Sequence, residues 1–578
     1  MRRVYNAIAT ALLLMTTIGA ANAQQSWNFG GTTLNNDMVG WGDLYNLSFT
    51  SHNYGTAQSM AMGNAFTALG ANMVSASLNP AGIGMYTHSD LSITPIMQFT
   101  KSPTANSDAY YSSDVPKSQQ VYSDHTERFG LGSAGVVFAA YRGTGAVTNI
   151  NVGLVYNRIA DFNQNRLNAS LDNESYDSMA NLFATLGNVD GLKTNDDGTM
   201  PFGNDPYYWG AVLAYKNGLT NNIVNLKKED IIENETKDWF IDRIDEDAII
   251  DQYSSVQTRG SIGEFALTVG FNFVDRIYVG ASLGMQSLNY RREVYYGENY
   301  IYSDATRPTG DEMPYQLDYM NYLQRTQMSG TGINFKLGVT ARPLDWLRIG
   351  IAYHTPTYYN IDFGYDAEMW SRTYSAGNNP EDYDIGPMGY MYDDAYSGVW
   401  EDAGPYSWCF RSPSRLLTGV AVTIGKRAII SADYERSWYQ STRLTSAPIK
   451  NLNYKTPTTT CFKGSNTVRV GAEVYIAPFL PVRVGYIWSG STLREGYEDM
   501  VATHELPKQE SFITAGFGLK FVKGIYLDFA YQYGHRTFTD YQTFYAIDYN
   551  NSDNDIESRL FSTTTDRHIA VVTLGFSF

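Results

Sequence analysis

Seven histidines, at positions 52, 88, 125, 354, 504, 535 and 568, are the residues of this chain best suited to ligate a metal or move a proton, and they are scattered. No two stand at a spacing that puts metal ligands on one face of a helix or strand. His354 and His535 fall at the ends of apolar segments, but neither adjoins a nucleophile motif such as G-x-S-x-G. Asn195-Asp-Asp-Gly198 is turn chemistry, because the Glu that closes an EF-hand loop is missing. The residues therefore assign no catalytic group, no metal and no cofactor. Of the two cysteines, Cys409 and Cys461, one bridge is expected in an oxidising compartment.

The charged residues are more informative. Glu264, Lys336, Arg348, Asp433, Glu435, Arg469, Glu473, Arg483, Lys520 and Asp528 each fall on the polar register of a period-two segment. In the clearest one, Ile333, Phe335, Leu337, Val339 and Ala341 alternate with Asn334, Lys336, Gly338 and Thr340. Such a strand separates an apolar medium from a polar one. Ion pairs between the inward charges would stiffen a wall. Alternatively, Lys336, Arg348, Arg469 or Arg483 would anchor a ligand carboxylate by charge-assisted hydrogen bonds.

About fourteen such segments begin near residues 89, 129, 147, 258, 276, 327, 345, 413, 427, 465, 480, 509, 524 and 564. Their connections alternate between tight turns, such as Val274-Asp275-Arg276 and Pro343-Leu344-Asp345, and long loops. The long loops run near 101–128, 161–257, 293–326, 357–412, 440–464, 489–508 and 535–563. An even set of strands with tight turns on one side and long loops on the other predicts an all-β fold, a transmembrane antiparallel barrel. A Greek-key sandwich has no reason to sort its loops this way. Tyr353, Tyr434, Tyr486 and Trp488 stand on outward registers near strand ends, as an interfacial belt requires. Within the loop 161–257, Pro206-Tyr-Tyr-Trp209 and Trp239-Phe240 suit an apolar docking groove or packing within the loop, and Lys227 to Asp247 suits a helix. The two cysteines then fall on long loops of one side.

The bulk numbers agree. Tyr (45) and Gly (51) are abundant, Pro is scarce (19), and only 17% of residues are charged. A net charge of −17 excludes a nucleic-acid partner, which needs a basic face. Arg2 and Arg3, the apolar run Ala7 to Ala20 and Ala21-Asn22-Ala23 form a signal-peptide pattern over 1–23, so export is expected. Residues 24–88 then precede a barrel over 89–578. The last strand alternates up to Phe578, a terminal aromatic that resembles the signal read by the barrel-assembly machinery.

Ahead of the first strand stand Ser59-Met-Ala-Met-Gly-Asn-Ala-Phe-Thr-Ala-Leu-Gly70 and Ser77-Leu-Asn-Pro-Ala-Gly-Ile-Gly84. They resemble the start of the FadL/TodX family of outer-membrane transporters of hydrophobic compounds, in which Met-Gly-x-Ala-Phe and Asn-Pro-Ala lie in an N-terminal hatch. Barrel phrases such as Arg348-Ile-Gly-Ile-Ala-Tyr-His-Thr-Pro356 match in texture. The resemblance implies fourteen strands, a hatch carrying Asn79, Pro80 and Ala81, and capture of an apolar ligand (a long-chain fatty acid or aromatic compound) by the outer loops. It further implies release after a hatch rearrangement, outer-membrane lipid and lipopolysaccharide as surroundings, and no energy source. The other function open to such a barrel is that of a structural or adhesive surface protein acting through its large loops.

Overall fold

A strand with one apolar and one polar row needs a sheet that leaves no edge in lipid, and the chain meets this by closing its sheet on itself. The computed structural model describes residues 32–34, 47, 54–106, 121–190, 193, 209–222, 240–242, 244, 248–301, 315–375, 407–425, 427–446, 462–495, 507–521, 524–548 and 556–578. Among these, fourteen antiparallel strands form one closed transmembrane barrel. They are β1 (Asp90–Asn106), β2 (Val121–Arg142), β3 (Val147–Asp161), β4 (Ile249–Phe273), β5 (Ile277–Ile301), β6 (Tyr315–Leu344) and β7 (Leu347–His354). The rest are β8 (Arg415–Ile424), β9 (Ala428–Ser437), β10 (Ser465–Ala477), β11 (Leu480–Ser489), β12 (Pro507–Lys520), β13 (Ile525–Phe538) and β14 (Leu560–Ser577). Pairing of β1 with β14, from Asp90↔Ser577 to Asn106↔Phe561, closes the cylinder. The signal-peptide segment 1–23 lies outside the described residues.

The lipid band is legible on β5. Ile277, Val279, Ala281, Leu283 and Met285 point outward, and Ile277 and Met285 are 48% and 49% exposed. At about 3.3 Å per residue this run is roughly 27 Å of strand, and a tilt of ~40° brings it near the height of an outer-membrane apolar band. At the short-turn end Val274 and Asp275 both adopt positive φ, 46° and 56°. Asn272 and Asp275 hold the turn through two mutual hydrogen bonds. Tyr353, Tyr434 and Tyr486 stand exposed on the outer face, and Trp488 is half-buried there.

Beyond Met285 the alternation continues in phase while the two faces exchange polarity. Outward residues become Ser287, Asn289 and Arg291, and inward residues become Leu288, Tyr290, Tyr296 and Tyr300, all buried. The same exchange occurs on β4 and β6, so these strands stand on the order of 40 Å clear of the lipid band. The strand Tyr358–Ser375 continues the sheet there, paired to β6. Parts of the expected loops 161–257, 293–326 and 357–412 are therefore sheet. A strand with water outside and protein inside carries its apolar row on the opposite face from a strand in lipid.

Residues 54–86 lie inside the barrel. They form a short helix α1 (Ala57–Ala61) and two 3-10 turns, Met73–Ala76 and Pro80–Met85, with hardly any side chain exposed. A segment without a sheet partner leaves its carbonyls in need of donors, and each orphan would cost about 1–3 kcal/mol. The polar lumen face of the wall supplies the donors. Gln532 donates to the Met60 carbonyl, Thr514 to Ala61, Ser431 to Ala65 and Arg348 to Leu69. Asn151 donates to both Ile83 and Tyr86.

Close approach is made by wall glycines. Gly280 pairs with Gly270 on one side and Gly338 on the other, and Gly350 pairs with Gly419. At each of these positions an added Cβ would meet the inserted segment or, at Gly419, also Asp433. The expected outcome for Gly280→Leu, whose side chain would run into the Pro80 backbone, is a barrel that still folds but seats residues 54–86 badly. Cells carrying it should become several-fold more sensitive to large hydrophilic antibiotics. Wild-type sensitivity, with the variant folded in the membrane, would contradict this packing.

Candidate functional site

Above the inserted segment, toward the long-loop side, the inward rows of β4, β5 and β6 build one apolar cluster. It contains Ile262, Leu288, Tyr290, Tyr296, Tyr322 and Met328, and residues of Tyr358–Ser375 join it through Tyr359, Ile361 and Met369. Phe162 meets Tyr290 edge-on at 5.3 Å, a favoured aromatic geometry. Two helices of the long loop pack into this vestibule, α2 (Met179–Asp190) and α3 (Trp209–Lys216), and Phe183 of α2 meets Tyr322 at 5.4 Å. Sequence reading missed α2, although Met179, Leu182, Phe183 and Leu186 recur at helical spacing. Most of the helix expected over Lys227 to Asp247 lies outside the described residues. Its portion Phe240–Asp242 is instead a strand paired to Thr220–Asn222, where two short runs complete each other's backbone bonds. Asn195-Asp-Asp-Gly198, Tyr207, Tyr208 and Trp239 also lie outside them.

The start of α2 is held by one carboxylate. Glu298, fully buried on β5, accepts from Ser178 Oγ (2.7 Å), Met179 N–H (2.9 Å), Gln252 Nε2 (3.1 Å), Tyr296 OH (2.5 Å) and Tyr300 OH (2.6 Å). It stands well outside the lipid band. Burial pushes its carboxyl up from the ordinary value, and these donors draw it back.

The vestibule floor is polar and joins the wall to the inserted segment. Glu264 pairs with Lys336 and accepts from Ser77 Oγ at 2.8 Å, Gln286 at 2.7 Å and Asn334 at 3.2 Å. His354 is buried and donates from Nε2 to the Leu78 carbonyl at 2.7 Å. Asn79 caps the turn that Pro80 begins. Its Oδ1 accepts from Ala81 N–H, while Nδ2 donates to the Thr67 carbonyl at 2.6 Å and to Thr340 at 3.1 Å.

All four basic residues expected as ligand anchors face the lumen, and all are engaged by the protein. Lys336 has Glu264, and Arg348 has the Leu69 carbonyl at 2.8 Å. Arg469 has Glu435 at 2.7 Å, and Arg483 lies between Glu473 at 2.6 Å and Asp528 at 2.5 Å. Three of the four thus lie in ion pairs across the wall, and Arg348 binds the inserted segment. His535 lies near the outer surface, 2.8 Å from Asp566. Cys409 belongs to the short strand Ser407–Arg411, which pairs with Arg443–Ser446, so its loop neighbours the one that leads to Cys461. Cys461 is outside the described residues, and the bridge stays a proposal.

Among the described residues the backbone pairing of the wall breaks at a seam. Pairing of β2 with β3 runs from Arg142↔Asn149 only as far as Ser133↔Asn157. Beyond that, among the described residues, Val121–Gly132 pairs only with β1, while the rest of β3 and its continuation Gln164–Glu174 pair only with β4. The continuation bends inward: Asp161 accepts from Gln98 of β1, and Gln164 reaches Thr565 of β14. Side chains stitch the facing edges, Arg158 to the Leu131 carbonyl at 3.2 Å and Arg128 to Asn163 at 2.7 Å. Phe129 beside the seam is 80% exposed on the lipid side, and Ile159, Ala160 and Phe162 carry the vestibule cluster up to it. At the short-turn end a cavity of about 380 Å³ lies between the inserted segment and the wall, with Asp90, Arg483, Lys520 and Asp528 in its lining. That charged lining suits an apolar molecule poorly.

No family model and no curated protein matches the chain. Solved structures do. It is similar to the toluene transporter TbuX of Ralstonia pickettii, at 12% identity, covering 92% of this chain and 100% of that one with a TM-score of 0.44. A FadL homologue of Pseudomonas aeruginosa shows 13% identity, 92% and 98% coverage and a TM-score of 0.45. The toluene transporter TodX of Pseudomonas putida shows 11% identity, 90% and 98% coverage and a TM-score of 0.44.

Replacing Glu298 by Ala leaves the donors at the start of α2 without an acceptor, at about 1–3 kcal/mol for each buried group. Amide hydrogen exchange across Met179–Asp190 is expected to accelerate by about tenfold or more, with the lipid-band strands unchanged. Unaltered exchange in α2 would show that the carboxylate does not pin it.

Proposed function

We propose that this chain is an outer-membrane channel for hydrophobic small molecules, in which residues 24–88 are the hatch and residues 89–578 the barrel. The observation that carries the reading is an apolar cluster that runs from the loop-side lumen up to a seam in the wall, with residues 54–86 filling the axial route. A polar solute gains nothing from contact with such a cluster. An apolar one gains roughly 0.8 kcal/mol for each CH₂ it removes from water. Passage from the lumen to the bilayer is then nearly level in energy, so the channel needs no energy source.

In this reading the loop helices α2 and α3 cover the vestibule and yield to an incoming ligand. The Met328 and Met369 side chains adapt to its shape. Asn79, Pro80 and Ala81 hold the hatch against the wall through the Asn79 bonds, and release runs sideways past Phe129 and Ile159. Lipopolysaccharide and outer-membrane lipid surround the band, and Phe578 presents the chain to the assembly machinery.

Uptake of a labelled alkane and of labelled toluene by cells with and without the protein tests the channel. Gly130→Trp tests the route, because its side chain enters the slot now occupied by Arg158. Expression should raise uptake of at least one probe, and the tryptophan variant should lower that gain by about fivefold or more while folding normally. Equal uptake of both probes with and without the protein would remove the transport reading, and full uptake through the variant would remove the sideways route.

A further inference from the structure

We propose that the outer face of β4, β5 and β6 docks one molecule of lipopolysaccharide, with Arg259 and Arg291 receiving phosphate and Tyr253, Tyr295 and Trp370 receiving sugar. The proposal rests on the outer-membrane placement above and is independent of what the channel carries. The face begins at the top of the lipid band, where Phe265, Met285 and Ile333 pair across the three strands and stand exposed. Above it come two rows of small polar residues. Gly263, Ser287 and Thr331 form the first, and Ser261, Asn289 and Ser329 the second. Such a ledge leaves room for a bulky headgroup.

The next row is Arg259, Arg291 and Gln327, all exposed. The two arginines stand directly opposite each other on paired strands, an arrangement that repels unless an anion joins them. Arg291 pairs with Glu293. Arg259 meets the Gln257 amide oxygen at 3.1 Å and no carboxylate among the described residues. Arg325 and Glu368, higher on the face, neutralise each other at 2.8 Å. Asp362 is exposed beside Ser329, but it lies two strands from Arg291 and a row lower. The arginine row therefore keeps a positive charge in excess, and two guanidinium forks side by side match the oxygens of a phosphate.

Higher still the same face carries aromatic rings. Tyr253 lies across Gly297, where a side chain would collide with its ring. Tyr295 is 6.0 Å from Tyr253 between ring centroids, and Trp370 is 5.8 Å from Tyr295. The Tyr253 and Tyr295 hydroxyls both donate to Asn321 Oδ1, at 2.8 and 2.7 Å, which pins the two rings to the sheet. The inward row at this height is Tyr296, Glu298 and Tyr322, all buried, so these half-buried rings face away from the vestibule. Electron-rich ring faces suit the C–H faces of sugars. From Met285 to Arg291 is roughly 20 Å of strand, which at ~40° of tilt puts the arginines about 15 Å above the band, with Tyr295 about 10 Å higher. Acyl chains below, phosphate between and sugars above is the order of lipopolysaccharide. A phospholipid headgroup ends short of the rings.

Binding of three lipids to the purified, detergent-solubilised protein tests this: lipopolysaccharide, the same lipopolysaccharide stripped of its phosphates, and phosphatidylglycerol. The wild type should bind one intact lipopolysaccharide per chain, and stripping should weaken binding by about tenfold or more. Arg259→Gln combined with Arg291→Gln should bind the intact form as weakly as the wild type binds the stripped one. Trp370→Ala should weaken both forms alike, by about fivefold. If the double variant does not fold, Arg259→Gln alone decides, and Tyr253→Ala replaces Trp370→Ala on the same ground. Equal affinity of the wild type for intact and stripped lipopolysaccharide overturns the proposal. So does a folded charge variant or a folded ring variant with wild-type affinity, and so does phosphatidylglycerol that competes as well as lipopolysaccharide. Loss of hydrocarbon uptake with lipopolysaccharide binding intact would count against the channel and spare this face. Recovery of the expressed chain outside the outer-membrane fraction would count against the placement itself.

Discussion

Every backbone amide and carbonyl that leaves water must find a partner inside the protein, and the rest of this structure follows from that requirement. In the wall the demand closes the sheet, because an open edge in hydrocarbon costs several kcal/mol for each unpaired group. In the lumen the same demand falls on a segment that has no sheet. Residues 54–86 satisfy it with side chains of the wall, such as Thr514, Ser431 and Asn151. The polar row inside the barrel is thus a set of partners for a particular piece of chain, and the glycines set how closely that piece can lie.

The exception to wall pairing is instructive. Between β2 and the continuation of β3, backbone pairing gives way to the Arg158 and Arg128 side chains. Side-chain stitches can part and reform with far less rearrangement than a ladder. In the proposed reading, parting of these side-chain stitches beside the apolar cluster is what opens a route for an apolar molecule. The charged cavity at the short-turn end does not compete with it. In the function proposed above, the fold separates two tasks that conflict in a simple pore, exclusion of water-soluble solutes and passage of lipid-soluble ones.

Much of this was legible in the residues. The period-two rows located all fourteen wall strands, and the Asn79-Pro80-Ala81 segment drew attention to the part of the chain that fills the lumen. The extramembrane halves of β4, β5 and β6 were not legible, because a search for an apolar row facing out stops at Met285, where the row changes sides. The pairing of Lys336, Arg348, Arg469 and Arg483 was not legible either, since alternation gives a residue's face and never its partner. The helix α2 carried its own signal in Met179, Leu182, Phe183 and Leu186, hidden only by the expectation of a loop.

A photoreactive hydrocarbon bearing a diazirine, added from the aqueous side to outer-membrane vesicles and activated at successive times, tests the central claim most directly. The account expects adducts first on lumen residues such as Tyr290 and Phe162, then at Ile159 and Phe129 on the seam, and only later on lipid-facing Leu267 and Leu283. Adducts confined to the lipid-facing rows at every time, with the lumen rows unmarked, would contradict it.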